Sequence, residues 1–249
     1  MLLEQTITKL NAMRLRSMAA AVKTRLERPD HADLSFTELF GLIVDDEWIV
    51  RQNRSLAKRL AGARFKDRNA CIEDIDYAPV RGLNKPIVLE LAQNHWIANH
   101  QSLLITGPTG AGKSFLAQAL GQQACRAGFT VQYLRLPKFL PGLAVHRADG
   151  SYPRLFRQLA RAALLVLDDW GIPTIGDQER ADILELIEDR HGTGATIVAS
   201  QIPVAAWHTY LGGGIIADGI CDRLVNNSRR IELNGESQRG KERKKLEEN

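Results

Sequence analysis

A glycine-rich segment, Gly107-Pro-Thr-Gly-Ala-Gly-Lys113-Ser114, fits the spacing G-x-x-x-x-G-K-[ST] at every fixed position. Glycines let a backbone fold closely around a phosphate, and N–H groups at a helix N-terminus supply positive potential there. In this pattern the lysine reaches the β- and γ-phosphates of a nucleotide and the serine hydroxyl coordinates Mg²⁺. The expected nucleotide-binding set is Gly107, Pro108, Thr109, Gly110, Ala111, Gly112, Lys113, Ser114 and Phe115.

About 55 residues later, the apolar run Leu164-Leu-Val-Leu ends in two carboxylates, Asp168 and Asp169. The run predicts a buried strand, which places Asp168 at the carboxyl edge of a sheet, where open α/β folds bind ligands. Asp168 is suited to hold the Mg²⁺ shell through water. Asp169 is then the candidate to polarise the attacking water. Combined with the glycine-rich loop, this pair indicates a Walker B motif.

Two more positions carry polar groups that could act on the nucleotide. Ser200-Gln201 ends the next β-branched run, and either side chain could sense the γ-phosphate; a simple strand-end turn before Pro203 explains the pair equally. Arg223, after a glycine-rich turn, could reach the γ-phosphate of a neighbouring subunit. On spacing alone, Arg223 is also explained as an ordinary surface arginine.

The elements that must position these residues alternate between strands and helices from about residue 87. The helices are predicted over Ser114–Ala127 and Gln178–His191, each closed by a glycine. Such alternation favours an α/β fold with a mostly parallel sheet between helical layers. The predicted strands are 103–106, 131–136, 164–167 and 196–200, with a possible edge strand over 230–233.

The first 70 residues are predicted to form a small all-α domain. Apolar side chains from Leu3 to Val22 form one stripe on a helix that ends near Pro29. Ser35 and Glu38 form a capping box, which starts a second helix that runs towards Gly62. The predicted organisation is a helical domain (1–70), a linker (71–86), a nucleotide-binding domain (87–234) and a basic tail (235–249).

The composition excludes several classes of protein. A chain of 249 residues with 44% apolar and 25% charged residues is an ordinary globular protein of one to two domains. No signal peptide is visible at the start, and no apolar run comes near the roughly 20 residues that span a bilayer, so we expect a cytoplasmic protein without a membrane partner. The three cysteines and six histidines show no disulfide or metal spacing, and the four tryptophans are interpreted as packing residues.

The positive charge is concentrated at the two ends of the chain. The net charge is +4 over residues 1–70, −3 over 71–222 and +3 over 223–249. Such segregation suggests a polyanionic partner for the ends, although solvated helix faces would give the same pattern.

Taken together, these residues resemble the IstB-type helper ATPases of bacterial insertion sequences, in the initiator and helicase-loader branch of the AAA+ superfamily. The likeness covers nearly the whole chain, and its specificity comes from segments that flank the Walker motifs. These segments are Leu10-Asn-Ala-Met-Arg-Leu15, Arg51-Gln-Asn-Arg-Ser-Leu-Ala-Lys58, Glu73-Asp-Ile-Asp-Tyr77, Asp168-Asp-Trp-Gly171, Ser200-Gln-Ile-Pro203 with Trp207, and Gly235-Glu-Ser-Gln-Arg239.

The resemblance implies an ATPase in which Arg223 is a trans-acting arginine finger and Ser200 or Gln201 is the first sensor. It also implies homo-oligomers that assemble with ATP on duplex DNA, deform the target and engage a partner transposase. An inserted helical element, roughly 137–161, would face the DNA. The implied DNA contacts are Arg51, Arg54, Lys58 and Arg59 in the amino-terminal helices and Lys138, Arg147 and Arg154 in the insertion.

Two departures from the wider superfamily stand out. Only 16 residues follow Leu233, too few for a C-terminal helical lid, so Arg239 would have to replace a sensor carried by that lid. Asp169 stands where a glutamate is common, and the shorter carboxylate fits slow intrinsic turnover.

Two alternative functions remain open at this point. A replicative helicase loader of the DnaC type would share the ATPase core and differ in its partner. A small-molecule kinase would also use the phosphate loop, but no second substrate pocket or arginine-rich lid is evident in the sequence.

Overall fold

The computed structural model describes residues 2–26 and 34–235. The chain divides between Lys58 and Arg59 into two compact units. The first unit contains helices α1 (Leu2–Ala12) and α2 (Arg16–Leu26) and most of α3 (Phe36–Ala63), which continues into the second.

The predicted single helix at the amino terminus is wrong, because the chain breaks between α1 and α2. Arg14 adopts a left-handed conformation with φ +62°. The N–H of Leu15 donates back to the carbonyl of Leu10 at 2.9 Å, a bond that closes a helix C-terminus. The Glu47 carboxylate then accepts the N–H groups of Ser17 and Met18, which caps the start of α2. The predicted end near Pro29 lies outside the described residues.

The predicted start of α3 is confirmed by its capping box. Ser35 Oγ accepts the N–H of Glu38 at 3.3 Å, and the Glu38 carboxylate accepts the N–H of Ser35 at 2.9 Å. The Ser35 hydroxyl also donates to the Glu38 carboxylate at 2.7 Å. This bond, followed by the one from the Ser35 N–H, lowers the pKa of Glu38, because the ionised carboxylate is the better acceptor.

The second unit is built on a five-stranded parallel sheet in the order β2-β3-β4-β1-β5. All six residues of β4 are buried, which requires cover on both faces of the sheet. The predicted α/β class and the edge strand near residue 230 are therefore confirmed. The strands are β1 (Ser102–Thr106), β2 (Val131–Arg135), β3 (Leu164–Trp170), β4 (Ala195–Ser200) and β5 (Ser228–Glu232).

Helices connect successive strands and pack on the sheet. The two predicted core helices appear as α6 and α9, each within one residue of the predicted bounds. The insertion between β2 and β3 is the helix pair α7 and α8, as predicted. The helices of this unit are α4 (Lys85–Ala92), α5 (His95–Ala98), α6 (Lys113–Arg126), α7 (Leu136–Ala148), α8 (Tyr152–Ala160), α9 (Asp177–Arg190), α10 (Trp207–Tyr210) and α11 (Gly214–Val225); two 3₁₀ turns lie at Pro79–Arg81 and Val204–Ala206.

The segment predicted as a linker is largely irregular, but it is packed within the second unit. Ile72, Ile75 and Leu83 are buried. The segment therefore packs through apolar side chains, although its Pro- and Gly-rich composition predicted a linker. Just before it, the Phe65 ring lies against Gly121 of α6 and 6.1 Å from the Tyr133 ring. The assignment of functional domains at residues 70 and 86 stays a prediction.

The interpretation of all four tryptophans as packing residues is wrong for one of them. Trp96, Trp170 and Trp207 are buried, whereas Trp48 on α3 is 61% exposed. Within the described part of the chain, which ends at residue 235, no helical lid follows β5; Arg239 lies outside it. No helix in that part could cross a membrane.

Arg190 at the end of α9 holds the insertion against the sheet. Its guanidinium is buried and donates to the carbonyls of Leu159 and Ala162 at 2.7 Å, as well as to the carbonyl of Ala195. Desolvation lowers the pKa of Arg190 to about 10. One side chain thus joins the end of α8 to the starts of β3 and β4.

Replacing Arg190 with Leu should lower the free energy of unfolding by about 2–4 kcal/mol, because the buried carbonyls lose their donors while removal of a buried charge offsets part of the loss. Urea denaturation measures the change. The exposed Arg154 on α8 is the matched control, and Arg154→Leu should stay within about 0.5 kcal/mol of wild type. Equal stability of the two variants would contradict the role of Arg190.

Candidate nucleotide-binding site

The phosphate loop connects β1 to α6 and depends on glycine at three positions. Gly107, Gly110 and Gly112 have φ of +145°, +85° and +94°, values that residues with a side chain rarely adopt. A Cβ on Gly107 would also collide with the carbonyl oxygen of Leu233, just after β5. Leu233 is held there by its own N–H, which donates to the carbonyl of Thr106 at 2.8 Å. The loop is therefore shaped by its own sequence and by a strand distant in the chain.

Lys113 and Ser114 occupy the first turn of α6. The Lys113 ammonium donates to the carbonyls of Gly107 and Pro108, each at 2.8 Å, so it lies inside the curl of the loop. Ser114 Oγ donates to Asp168 Oδ1 at 2.9 Å. The two residues predicted as metal ligands, one on α6 and one on β3, are thus adjacent. A hydroxyl beside a carboxylate is an oxygen donor set that fits Mg²⁺.

A bulge in β3 brings both carboxylates to the same cleft. Leu167 pairs with Val198 of β4, but the next pair joins Trp170 to Ser200, so Asp168 and Asp169 together oppose Ala199. Asp169 has φ +62°. Successive residues of a regular strand point to opposite faces, whereas a bulge redirects one of them. Both aspartates consequently line one cavity.

Asp168 is buried and fully engaged by neighbouring groups. Besides the bond from Ser114, its Oδ1 accepts the N–H of Asp169 at 2.9 Å, and its Oδ2 accepts the hydroxyl of Tyr133 at 2.5 Å. Burial, followed by the nearby negative charge of Asp168, raises the pKa of Tyr133, so the phenol remains a donor. The role of Tyr133 was missed because nothing in the sequence pairs β2 with a residue 35 positions later.

Asp169 is engaged by a charged partner on β2. Arg135 Nη2 lies 2.7 Å from Asp169 Oδ2, and Arg135 Nε donates to the same oxygen at 2.8 Å. The hydrogen bond that Arg135 donates to Asp169 raises the pKa of Arg135, so the guanidinium stays charged. This pairing was also absent from the sequence-based set.

The two sensor candidates have different surroundings. Ser200 is buried, and its hydroxyl donates to the carbonyl of Ile202 at 2.9 Å and accepts the N–H of Ile202, which is a local turn. Gln201 lines the cleft, and its Oε1 accepts the hydroxyl of Thr109 in the phosphate loop at 2.8 Å. The geometry therefore favours Gln201 over Ser200 as the residue that meets the nucleotide; the sensor role itself stays a prediction.

The cleft has a volume of about 870 Å³ and extends beyond the phosphate loop. Its far wall comes from the segment between α3 and the first 3₁₀ turn, which the sequence analysis placed in the helical domain and the linker. Asp67 fastens this segment to α6, since its N–H donates to Gln118 at 2.8 Å and its carbonyl accepts Gln122 at 3.1 Å. The wall residues are Lys66, Asp67, Arg68, Asn69, Asp74 and Asp76, and opposite them Phe115 joins the lining as predicted.

The remaining predicted residues fall into two groups. Four are engaged within their own unit: Arg223 with Glu188 at 2.8 Å, Arg51 with Glu47 at 2.7 Å, Arg59 with the carbonyl of Cys125 at 2.8 Å, and Arg147 with the buried carboxylate of Asp182. The other four have exposed side chains: Arg54, Lys58, Lys138 and Arg154. Their roles towards DNA and a neighbouring subunit stay predictions.

The parallel sheet, the phosphate loop at the carboxyl end of β1 and the paired aspartates on β3 define a P-loop nucleotide-binding protein with the AAA+ fold. Among solved structures, the fold is similar to AMPPCP-bound DnaA from Aquifex aeolicus, with a TM-score of 0.60 and 21% identity over 74% of this chain and 57% of that chain. It is also similar to the DnaC helicase loader, with a TM-score of 0.58 and 16% identity over 67% and 97% of the respective chains.

The sequence matches the family of IstB-like ATP binding proteins over residues 8–246. It is 45% identical to a putative insertion sequence ATP-binding protein of Sinorhizobium fredii, over 98% of this chain and all of that one. The chain therefore belongs to the IstB-like family and is an ATPase of that family. The expected resemblance and the expected binding of ATP are both confirmed.

Gly107→Ala should weaken ATP binding at least about tenfold and destabilise the fold, because the added methyl group must displace the end of β5 as well as strain the backbone. Gly128→Ala is the matched control: Gly128 has φ +101°, but a Cβ there meets nothing within 4 Å. Fluorescent-nucleotide titration and thermal unfolding measure both effects. Equal losses of affinity in the two variants would show that backbone strain, and not the contact with Leu233, explains the glycine.

Proposed function

We propose that this ATPase is a transposition helper that assembles with ATP on duplex DNA, deforms the target and regulates a partner transposase. The observation that carries the proposal is the phosphate loop bonded to Asp168 through Ser114, in a chain that aligns end to end with a relative named for an insertion sequence. The similarity in sequence to that relative favours the transposition helper. The helicase loader is similar to this chain only in its fold.

In the proposed reaction, Lys113 binds the β- and γ-phosphates of ATP, and Ser114 and Asp168 would hold a magnesium ion, Asp168 through water. When bound, the metal would neutralise charge on the phosphate oxygens. Tyr133 keeps one oxygen of Asp168 occupied and so orients the other towards Ser114. Asp169 accepts a proton from the attacking water, and Gln201, already bonded to the phosphate loop, senses the γ-phosphate.

Arg223 would act on the nucleotide of an adjacent subunit. Its side chain lies near the carboxyl end of α11, is 30% exposed, and is engaged by Glu188 and the carbonyl of Gly219. A guanidinium in such a partly exposed pair can exchange partners at small cost. Delivered to a γ-phosphate, it would stabilise the charge of the transition state and make hydrolysis depend on assembly.

The proposed DNA contacts are exposed basic side chains on the insertion and on α3. Lys138 on α7 and Arg154 on α8 are exposed, as are Arg54 and Lys58 on α3. Arg147 is held by Asp182 and Arg51 by Glu47, so these two contribute to the local fold as well as to positive charge. Contacts of this kind are made to phosphates and weaken steeply as salt rises, with little dependence on base sequence.

Lys113→Ala should abolish assembly on DNA, because nucleotide would no longer bridge subunits. The measurement is negative-stain imaging with duplex DNA, in ATP and in ADP. Wild type should form rings or filaments with ATP only, and the exposed-lysine control Lys85→Ala should do the same. Monomers of wild type under both conditions, or undiminished ATP-dependent oligomers of Lys113→Ala, would overturn the proposal.

A mixing experiment tests whether Arg223 acts between subunits. Arg223→Ala and Asp169→Asn should each bind ATP but hydrolyse it poorly. Equal mixtures should recover about a quarter of the wild-type rate, since random head-to-tail assembly pairs an intact site with an intact arginine at that frequency. Absence of recovery in mixtures that still assemble on DNA would exclude a role in trans.

A further inference from the structure

The amino-terminal half of α3 presents a large apolar surface. The rings of Phe36 and Phe40 stack with their centroids 5.9 Å apart, and both are exposed, as is Trp48. Within the first unit, the described residues of α3 that are buried are Ile43 and Glu47. Exposed apolar and aromatic side chains that lie together usually mark a site of interaction with another molecule.

Helical spacing arranges the exposed residues of this half in three rows. Residues four apart lie on the same side of a helix, and residues seven apart point in nearly the same direction. At this spacing an acidic row lies between an aromatic row and an aliphatic row. The rows, which together we call the α3 face, are Phe36, Phe40, Val44 and Trp48; Glu38 and Asp45; and Leu42 and Ile49.

The charge of α3 changes sign halfway along the helix. Residues 36–50 contain four carboxylates and no Lys or Arg, whereas residues 51–64 contain five Lys or Arg and no carboxylate. Two of the four carboxylates are engaged by arginines of the same unit. Glu38 and Asp45 are exposed on the α3 face. The basic half is therefore suited to DNA phosphates, and the acidic half would repel them.

We infer that the α3 face docks a basic amphipathic helix of a partner protein. Such a helix lays its apolar side chains against an apolar surface, here the aromatic and aliphatic rows. Its Lys and Arg side chains would meet Glu38 and Asp45 between those rows. Buried aromatic anchors carry most of the binding energy at interfaces of this kind, which assigns the largest share to Trp48. The inference goes beyond the proposed function, since the α3 face lies outside the ATP site.

The charge of the α3 face selects this partner over a second copy of the chain. Three aromatic side chains can bury roughly 150–250 Å² each, which with the aliphatic residues approaches the ~800 Å² per partner of a standard interface. The area alone would therefore also suit a homodimer. The face contains no Lys or Arg, however, so a second copy would bring carboxylates against it and no cation in any register.

The test is a fluorescence-anisotropy titration of the full chain with a labelled synthetic helical peptide of leucine and lysine at amphipathic spacing. Wild type should bind it saturably, with one peptide per chain. Trp48→Ser should weaken binding at least about tenfold through loss of the anchor, and Phe40→Ser should weaken it in the same direction. Val145→Ser is the matched control and should bind as wild type does, since Val145 on α7 is 64% exposed and Trp48 is 61% exposed.

A second peptide, with glutamate in place of lysine, tests the charge. Wild type should bind it much more weakly. Asp45→Lys should weaken binding of the lysine peptide by about three- to tenfold and strengthen binding of the glutamate peptide. Asp189→Lys, at an exposed aspartate on α9, should do neither. Lys113→Ala should bind the lysine peptide as wild type does, so failure of this inference and failure of ATP-dependent assembly are separate results.

Three outcomes would overturn the inference. The first is equal binding of the two peptides by wild type, which would leave only non-specific apolar contact. The second is undiminished binding of the lysine peptide by Trp48→Ser and Phe40→Ser, both at exposed positions and with circular dichroism unchanged from wild type. The third is a nucleotide-free wild-type dimer, seen by analytical ultracentrifugation, that Trp48→Ser converts to a monomer, because it would assign the α3 face to a second copy.

Discussion

The bond between the Ser114 hydroxyl and the Asp168 carboxylate, 2.9 Å long, is the contact on which the site depends. It joins the helix that follows the phosphate loop to the central part of the sheet. Asp168 is buried, and a buried carboxylate is tolerated only when its oxygens are hydrogen-bonded. Tyr133 and the N–H of Asp169 supply the remaining bonds, so α6, β2 and β3 are held in one arrangement by the chemistry of a single side chain.

The same need to satisfy buried polar groups explains how the insertion is attached. Arg190 binds carbonyls at the end of α8 and at the starts of two strands, and Asp182 of α9 holds Arg147 of α7 and the hydroxyl of Tyr152. These bonds engage two of the arginines in and around the insertion. The positive charge left on its surface is therefore smaller than a count of basic residues suggests, and it is carried by side chains such as Lys138 and Arg154.

Much of the fold could be predicted because its signals are local. The apolar runs, the glycine stops and the Ser35–Glu38 capping box each act within a few residues, and all appear in the structure. The break at Arg14 was missed because the apolar stripe continues across it, and its causes include a carboxylate on another helix, Glu47. Trp48 was assigned to packing by residue type alone, although exposure depends on which face of α3 meets α2. The packed segment around Ile72 and Ile75 was obscured by its Pro- and Gly-rich composition.

The sequence by itself determined the phosphate loop, the order of the strands along the chain and the identity of the two aspartates, because glycine conformations, side-chain charges and apolar runs are properties of short segments. Only the tertiary structure decided how those aspartates are used. The bulge against β4 turns Asp169 into the same cleft as Asp168, and the register of β2 gives each carboxylate its own partner, Tyr133 or Arg135. Such choices depend on contacts between residues more than 30 positions apart, and a pattern in the sequence does not show which distant residues come close together.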